Sequence, residues 1–168
     1  MKVSAVTWGE FAEDESKTCL DPDRIKESLF IRPGDFLFSR ANTIELVGAC
    51  VIAKSVTKSL MLSDKILRFR LAPGLEPRWL LICLRSKFGR SEIERLATVN
   101  QESMRNIGQE RIRQIRLPLP ALPEQRRIVA EVDRRLSIVR EVEAEVDANL
   151  KRAQALRQAV LSRTFSVR

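Results

Sequence analysis

Leu122-Pro123-Glu124-Gln125-Arg126-Arg127-Ile128-Val129 opens the run on which the fold of this chain turns, from Leu122 to Phe165. After Pro123 the run contains neither Pro nor Gly, the residues that break helix interiors. At roughly 1.5 Å per residue such a helix is about 60 Å long, several times the usual globular helix. Val132, Val139, Val146, Ala153 and Val160 recur every seventh residue, and Val129, Leu136 and Leu150 form a second row beside them. Ile128, Val142 and Leu156 widen the stripe, while Glu143 and Arg157 interrupt the second row. Heptad spacing with charged flanks predicts a coiled coil or a long helix pair. Pro123 and Glu124 suit the first turn and Arg163 the last. One helix of this length cannot bury its stripe on a small domain, so the apolar row is expected to be an intermolecular interface.

Pro118 and Pro120 end whatever precedes the helix, which gives a globular domain over 1–120 and the helix over 121–168. With 44% hydrophobic and 31% charged residues the composition is that of an ordinary soluble protein. The longest apolar runs, such as 79–84, are too short to span a bilayer, so no membrane partner is expected. Glu10, Glu13, Asp14 and Glu15 are foreign to a signal peptide. The three cysteines, Cys19, Cys50 and Cys83, are far apart and odd in number, which fits reduced thiols in a cytoplasm. There is no His and no Tyr, which removes His-based triads, His metal ligands and imidazole acid–base chemistry. No G-x-G-x-x-G loop and no carboxylate cluster with metal spacing occurs, so neither a cofactor nor a metal is expected. Asp64-Lys65 with Glu45 lacks a third ligand for a nuclease Mg²⁺ site.

The net charge of +8 is unevenly placed. Residues 1–64 carry 8 basic and 10 acidic side chains, 65–116 carry 12 and 5, and 117–168 carry 10 and 7. A basic block inside a globular domain is the footprint of a polyanion partner, or else a solvated basic surface.

Residues 3–6 form a short apolar run that reads as a strand, and 24–29 a short helix capped by Asp23. Arg32-Pro33-Gly34-Asp35 has the Pro and Gly of a type II turn, followed by a buried strand at 36–38. Residues 47–53 and 66–71 read as further strands, the latter with a basic outer face. Helical spacing starts at Pro77 and is expected to stop at Gly89. A second short helix follows over 91–97, capped by Ser91 with Glu94 completing the box. Residues 98–108 look like a polar loop, 109–114 a helical turn and 115–119 a last strand. The fold class is therefore α+β: a small mixed globular domain followed by one long C-terminal α-helix forming an intermolecular coiled coil.

The proline-to-helix junction from Leu117 to Val129 closely resembles the end of a target recognition domain and the start of the long helix in type I restriction–modification specificity (S) subunits. Upstream pieces agree in order: the run from Arg32 to Thr43, Leu46-Val47-Gly48, Leu62-Ser63-Asp64-Lys65, Gln101-Glu102-Ser103-Met104-Arg105-Asn106-Ile107 and the tail from Asn149 to Phe165. The resemblance implies a non-catalytic DNA reader. A globular domain recognises half of a split site in double-stranded DNA. The long helix pairs antiparallel with a second S chain or with another copy. That pair spaces the half-sites and binds the methyltransferase (M) subunits, and through them the restriction (R) subunit. Such a subunit usually has two recognition domains and two long helices, whereas one of each is present here. The opening helix and first strands expected before Val3 are missing, so the domain is expected to be incomplete at its N-terminus. The competing reading is a coiled-coil interaction module, or remnant, that binds partner subunits without reading DNA.

Candidate DNA contacts fall in three groups. Arg40, Asn42 and Thr43 follow a strand and offer residue types suited to guanine and adenine edges. The same residues fit a structural role, Arg40 pairing with a carboxylate and Asn42 fixing a turn, and a pattern so general favours that role. Lys65, Arg68, Arg70, Arg85, Lys87 and Arg90 are candidates for phosphate neutralisation, or members of a solvated face. Gln101, Ser103, Arg105 and Asn106 lie in an amide-rich stretch that could touch DNA, or form a solvent loop in which Asn106 caps the next turn. Trp8 and Trp79 could stack on bases but are better suited to packing in a chain this poor in aromatics.

Overall fold

The computed structural model describes residues 1–101 and 104–165. It falls into two compact units, Met1–Arg126 and Arg127–Arg168. The chain is mixed α and β, a small sheet-containing domain followed by a C-terminal helix.

In the first unit the turn at Arg32 sets up the core. The Asp35 amide donates to the Arg32 carbonyl at 3.1 Å, and Gly34 takes φ 91°, the left-handed conformation that only Gly enters freely. Strand β1 (Phe36–Ser39) then forms the middle of an antiparallel sheet, ordered β3 (Cys50–Ile52), β1, β4 (Ile66–Phe69). Phe36 lies opposite Ile52 on one side and Phe69 on the other. All four β1 residues are buried, because both faces of the sheet are covered. Phe36, Phe38 and Cys50 share a cluster with Leu80 and Leu84 of α1 (Pro77–Arg85) and Ile93 and Leu96 of α2 (Lys87–Leu96). Leu37, Val51 and Ile66 pack with Val6, Ile31 and Leu60 in a second cluster. The Phe69 ring stacks on Phe36 and Phe38, with centroids 5.6 and 5.0 Å away.

A second antiparallel sheet is ordered β2 (Ala41–Asn42), β6 (Met104–Asn106), β5 (Thr98–Gln101). The stretch 98–108, expected to be a loop, thus holds a hairpin. Thr98 and Val99 suit a strand but Asn100, Gln101 and Asn106 do not, and the pairing of Asn42 with Arg105 across the fold extends the ladder. Arg40 joins the two sheets: its amide donates to the Lys65 carbonyl at 2.9 Å, and its carbonyl accepts from the Ile107 amide at 2.8 Å.

Other expectations shift for local reasons. Residues 3–6 form a 3-10 turn, Val3–Ala5, in which the Val6 amide bonds back to the Val3 carbonyl. Residues 24–29 form no single helix but take in the end of one 3-10 turn, Pro22–Arg24, and the whole of another, Glu27–Leu29, and Asp21 rather than Asp23 caps the first. No strand forms at 115–119, where the Ile115 amide closes a turn onto Ile112. The helix break lies at Ser86, whose hydroxyl accepts from the Gly89 amide at 3.2 Å and caps α2. Gly89 is inside α2 because α1 passes so close that a Cβ there would stand 2.1 Å from the Cys83 carbonyl oxygen. Glu94 pairs with Arg90 instead of completing a box with Ser91. Residues 109–112 form the short helix α3 (Gln109–Ile112), as expected.

Helix α4 (Leu122–Phe165) runs for 44 residues, the bounds its lack of Pro and Gly predicts. Its first turn, in the first unit, is held by Gln125, which is buried. Within the second unit Val129 is buried and Val132 half-buried. Leu136, Val139, Val142, Val146, Leu150, Leu156 and Val160 are exposed large hydrophobics, and Ala153 is exposed with them. Among the described residues no helix is long and apolar enough to cross a membrane.

Candidate nucleic-acid interface

Where β1 leaves the first sheet and the chain enters the second, a cleft of about 450 Å³ opens between them, lined by Arg40, Ala41, Asp64, Lys65, Met104, Arg105 and Asn106. Four candidate DNA contacts (Arg40, Lys65, Arg105 and Asn106) are brought together here from three separate parts of the sequence. Arg40 is held in place by its backbone bonds to both sheets, and its Nη1 donates to the Asp64 carbonyl at 3.1 Å. Lys65 precedes β4 and is exposed, while Arg105 lies in β6 and is half-buried. Among the described residues neither makes an ion pair or side-chain hydrogen bond. The Thr98 hydroxyl donates to the Asn106 carbonyl at 3.0 Å and ties β6 to β5. Two buried atoms of the cleft residues, the donor Arg40 Nε and the acceptor Asn106 Oδ1, have no hydrogen-bond partner among the described residues. Two uncommitted cations beside polar backbone edges form a surface that can take a phosphate.

The remaining basic candidates divide sharply. Arg68 donates to Asp35 Oδ2 at 2.8 Å, to the Phe30 carbonyl at 2.9 Å and to the Ser28 carbonyl at 2.6 Å. Arg85 Nη2 donates to the Gly9 and Cys50 carbonyls at 2.6 and 2.8 Å. Arg90 donates to the Val47 and Ile44 carbonyls and to Glu94, and its guanidinium lies 4.5 Å from the centroid of the Trp8 ring. These three arginines cross-link loops of the first unit, so their charge is already engaged by carbonyl dipoles and carboxylates. Arg70 and Lys87 are exposed and make no such bond among the described residues; Arg70 lines a different, mainly apolar pocket.

Asn42 has the structural role foreseen for it. Its Oδ1 accepts from the Thr43 amide at 2.9 Å, and its Nδ2 donates to Ser39 Oγ at 3.4 Å. Thr43 opens a turn, its carbonyl accepting from the Leu46 and Val47 amides at 3.1 and 2.8 Å. Arg40 meets a backbone carbonyl rather than a carboxylate. Gln101 contributes backbone pairing to Met104, while its side chain and Ser103 lie outside the described residues. Trp79 is buried, and Trp8 donates from Nε1 to the Glu45 carbonyl at 2.7 Å, so both serve packing. Sequence reasoning missed Asp64 and Met104 as cleft residues. The signal for Asp64 was its place beside Lys65, in a motif weighed only for metal binding.

Thiol chemistry is disfavoured at the two buried cysteines. Burial pushes the Cys50 thiol up to about 12, against an opposing pull from Arg85, and burial also raises Cys83, so neither is a thiolate at neutral pH. Among the described residues no group of three or more His, Cys, Asp or Glu could hold a metal ion.

No family model matches the chain. Over 167 residues, 96% of its length, it is 26% identical to the type I restriction enzyme EcoEI specificity subunit of Escherichia coli, and it spans 28% of the length of that protein. The chain is thus similar, over nearly its whole length, to part of a specificity subunit of a type I restriction enzyme.

Proposed function

We propose that the chain is a non-catalytic DNA-specificity half-subunit of a type I restriction–modification complex. Its domain at 1–120 binds a half-site of duplex DNA, and the helix at 121–168 is the spacer, dimerisation and methyltransferase-docking element. The observation that carries this reading is the convergence of Arg40, Lys65, Arg105 and Asn106 on one cleft. The similarity to a specificity subunit supports the same reading. Lys65 and Arg105 neutralise phosphates, and Asn106 with the neighbouring hairpin lies where a base edge would pass. The exposed row from Leu136 to Val160 pairs with the long helix of a second chain. Cleavage and methyl transfer belong to other polypeptides.

The test is duplex binding by fluorescence anisotropy with the methyltransferase subunit present, at two salt concentrations. Lys65→Ala and Arg105→Ala should each lower affinity for all sequences and reduce the log–log salt slope by about one unit. Unchanged affinity and slope in both would defeat the DNA reading.

A second reading has one observation in its favour. Arg68, Arg85 and Arg90, three of the basic block, are used internally. The chain is then an interaction module that binds partner subunits through α4 and reads no DNA. Wild-type affinity for duplex that does not exceed that of the double cleft variant would select it.

A further inference from the structure

A second cavity, of about 490 Å³, is lined by six consecutive residues, 67–72, the first three of them in β4, together with Leu80, Leu84 and Ile112. Successive side chains of a strand point to opposite faces, so consecutive residues can line one cavity only if the strand presents its edge. β4 is the terminal strand in the order β3-β1-β4, and no other strand among the described residues pairs with its outer side.

The register fixes which backbone groups face outward. The Arg40 amide bonds to the Lys65 carbonyl, and β1 pairs Phe38 with Leu67 and Phe36 with Phe69. Hydrogen-bonded pairs alternate in an antiparallel ladder, so residues 65, 67 and 69 direct their N–H and C=O groups at β1. Arg68 directs its own away. An edge left open in this way is a template for one more strand.

The side chains around the edge define what that strand must carry. Phe69 packs with Leu80 and Leu84, so one side of the edge is an apolar floor. Arg68, on the alternate side of β4, is already paired with Asp35, whereas Arg70, which directly follows the strand, is exposed without an ion pair among the described residues. Arg113 adds a further cation to the cavity wall, although it also pairs with Glu110. A complementary strand therefore alternates apolar side chains, directed at the floor, with carboxylates, one of them opposite Arg70.

We infer that the β4 edge is a docking site for an extended segment of a partner protein in which apolar and acidic residues alternate. The segment adds as a fourth strand beside β4. Its main chain pairs with Arg68, its apolar side chains rest against Leu80, Leu84 and Ile112, and one of its carboxylates meets Arg70. DNA plays no part in this contact.

The experiment uses the whole chain and a fluorescein-labelled short peptide of alternating valine and glutamate, with binding read by anisotropy. Saturable binding is expected, weakened about five- to tenfold by Arg70→Glu, a change at an exposed position whose folding is checked by tryptophan fluorescence. A peptide methylated on the backbone nitrogens that face the edge should lose binding, and the valine–lysine counterpart should bind more weakly than the glutamate form. Equal binding of the glutamate and lysine peptides, or undiminished binding of the N-methylated one, overturns the proposal. So does a self-association that Arg70→Glu abolishes while no peptide binds, since the occupant is then a second copy of the chain.

Discussion

Gln125 Oε1 accepts a hydrogen bond from the Glu76 amide at 2.8 Å, which ties the first turn of α4 to the start of α1. Gln125 is 1% exposed, and its Nε2 donates to the Gly74 carbonyl at 3.0 Å and the Pro120 carbonyl at 2.8 Å. One amide side chain thus satisfies one donor and two acceptors from segments 49, 51 and 5 residues away. The neighbouring Arg126 lies 3.9 Å from the Glu76 carboxylate, a looser and more exposed contact. The Pro-Glu-Gln sequence at the junction is therefore a clamp within the first unit.

Removing that clamp should be costly. Gln125→Ala leaves the Glu76 amide and two carbonyls short of partners, and the globular unit should lose about 1–3 kcal/mol. Gln125→Glu should do no better, because an ionised carboxylate accepts but cannot donate to Gly74 and Pro120. Urea unfolding followed by the fluorescence of Trp8 and Trp79 measures both, and midpoints equal to wild type would remove the clamp from the account.

Arg68 and the cleft cations should separate cleanly. Arg68→Ala breaks the ion pair with Asp35 and frees the Phe30 and Ser28 carbonyls, so stability should fall by about 1.5–3 kcal/mol while the salt slope of DNA binding stays put. Lys65→Ala and Arg105→Ala should do the reverse. The check is urea midpoints and salt slopes on the same three variants.

Two glycines offer a steric comparison. At Gly89 an added Cβ would stand 2.1 Å from the Cys83 carbonyl oxygen and 2.7 Å from Leu84 Cα, so Gly89→Ala must push α1 and α2 apart, costing about 1–3 kcal/mol or more. Gly74 has φ 87° and open space around it, so Gly74→Ala costs only the left-handed strain, about 1–2 kcal/mol. Thermal unfolding of the two should rank Gly89→Ala lower.

On α4, hydrogen bonds first from Arg134 and then from Arg135 hold the Glu131 carboxyl down to about 2, from an ordinary 4.5. A depressed carboxyl contributes stability above its unfolded pKa of about 4.5 and loses it as pH falls through about 2. Helicity near Glu131 should therefore decline across that window, and a Glu131→Gln variant should lack that component. The group is partly exposed, so added salt should shrink the effect. Carboxyl chemical shifts against pH report the midpoint, and an ordinary value would refute the assignment.

If α4 pairs with a second long helix, replacing Val139 and Val146 with Asp should dissociate the assembly, because each change would bury an unpaired charge. Sedimentation at tens of micromolar, with helicity checked by circular dichroism, tests it. A wild-type chain that is already monomeric would end the pairing proposal.

Some of this architecture is written in local chemistry. The 44 residues of α4 follow from a Pro at the first turn, heptad spacing and the absence of breakers, none of which needs a distant partner. The turn at Arg32 and the buried Phe36-Leu37-Phe38 are equally local, because Gly34 supplies the φ and a central strand needs apolar residues on both faces. Other features depend on what the fold brings alongside. Asn42 and Asn106 have no strand preference and become strand residues because Ala41 and Asn42 lie against β6. Gly89 looks like a helix stop until α1 crosses it at a distance no side chain could allow. Arg68 and Lys65 differ by three positions and not at all in the sign of their charge. One meets Asp35 and two carbonyls, while the other is left in a cleft shared with Arg105, from a strand about forty residues away. A cation's residue type sets what it can bind, but only tertiary structure decides whether a carbonyl, a carboxylate or open solvent stands opposite it.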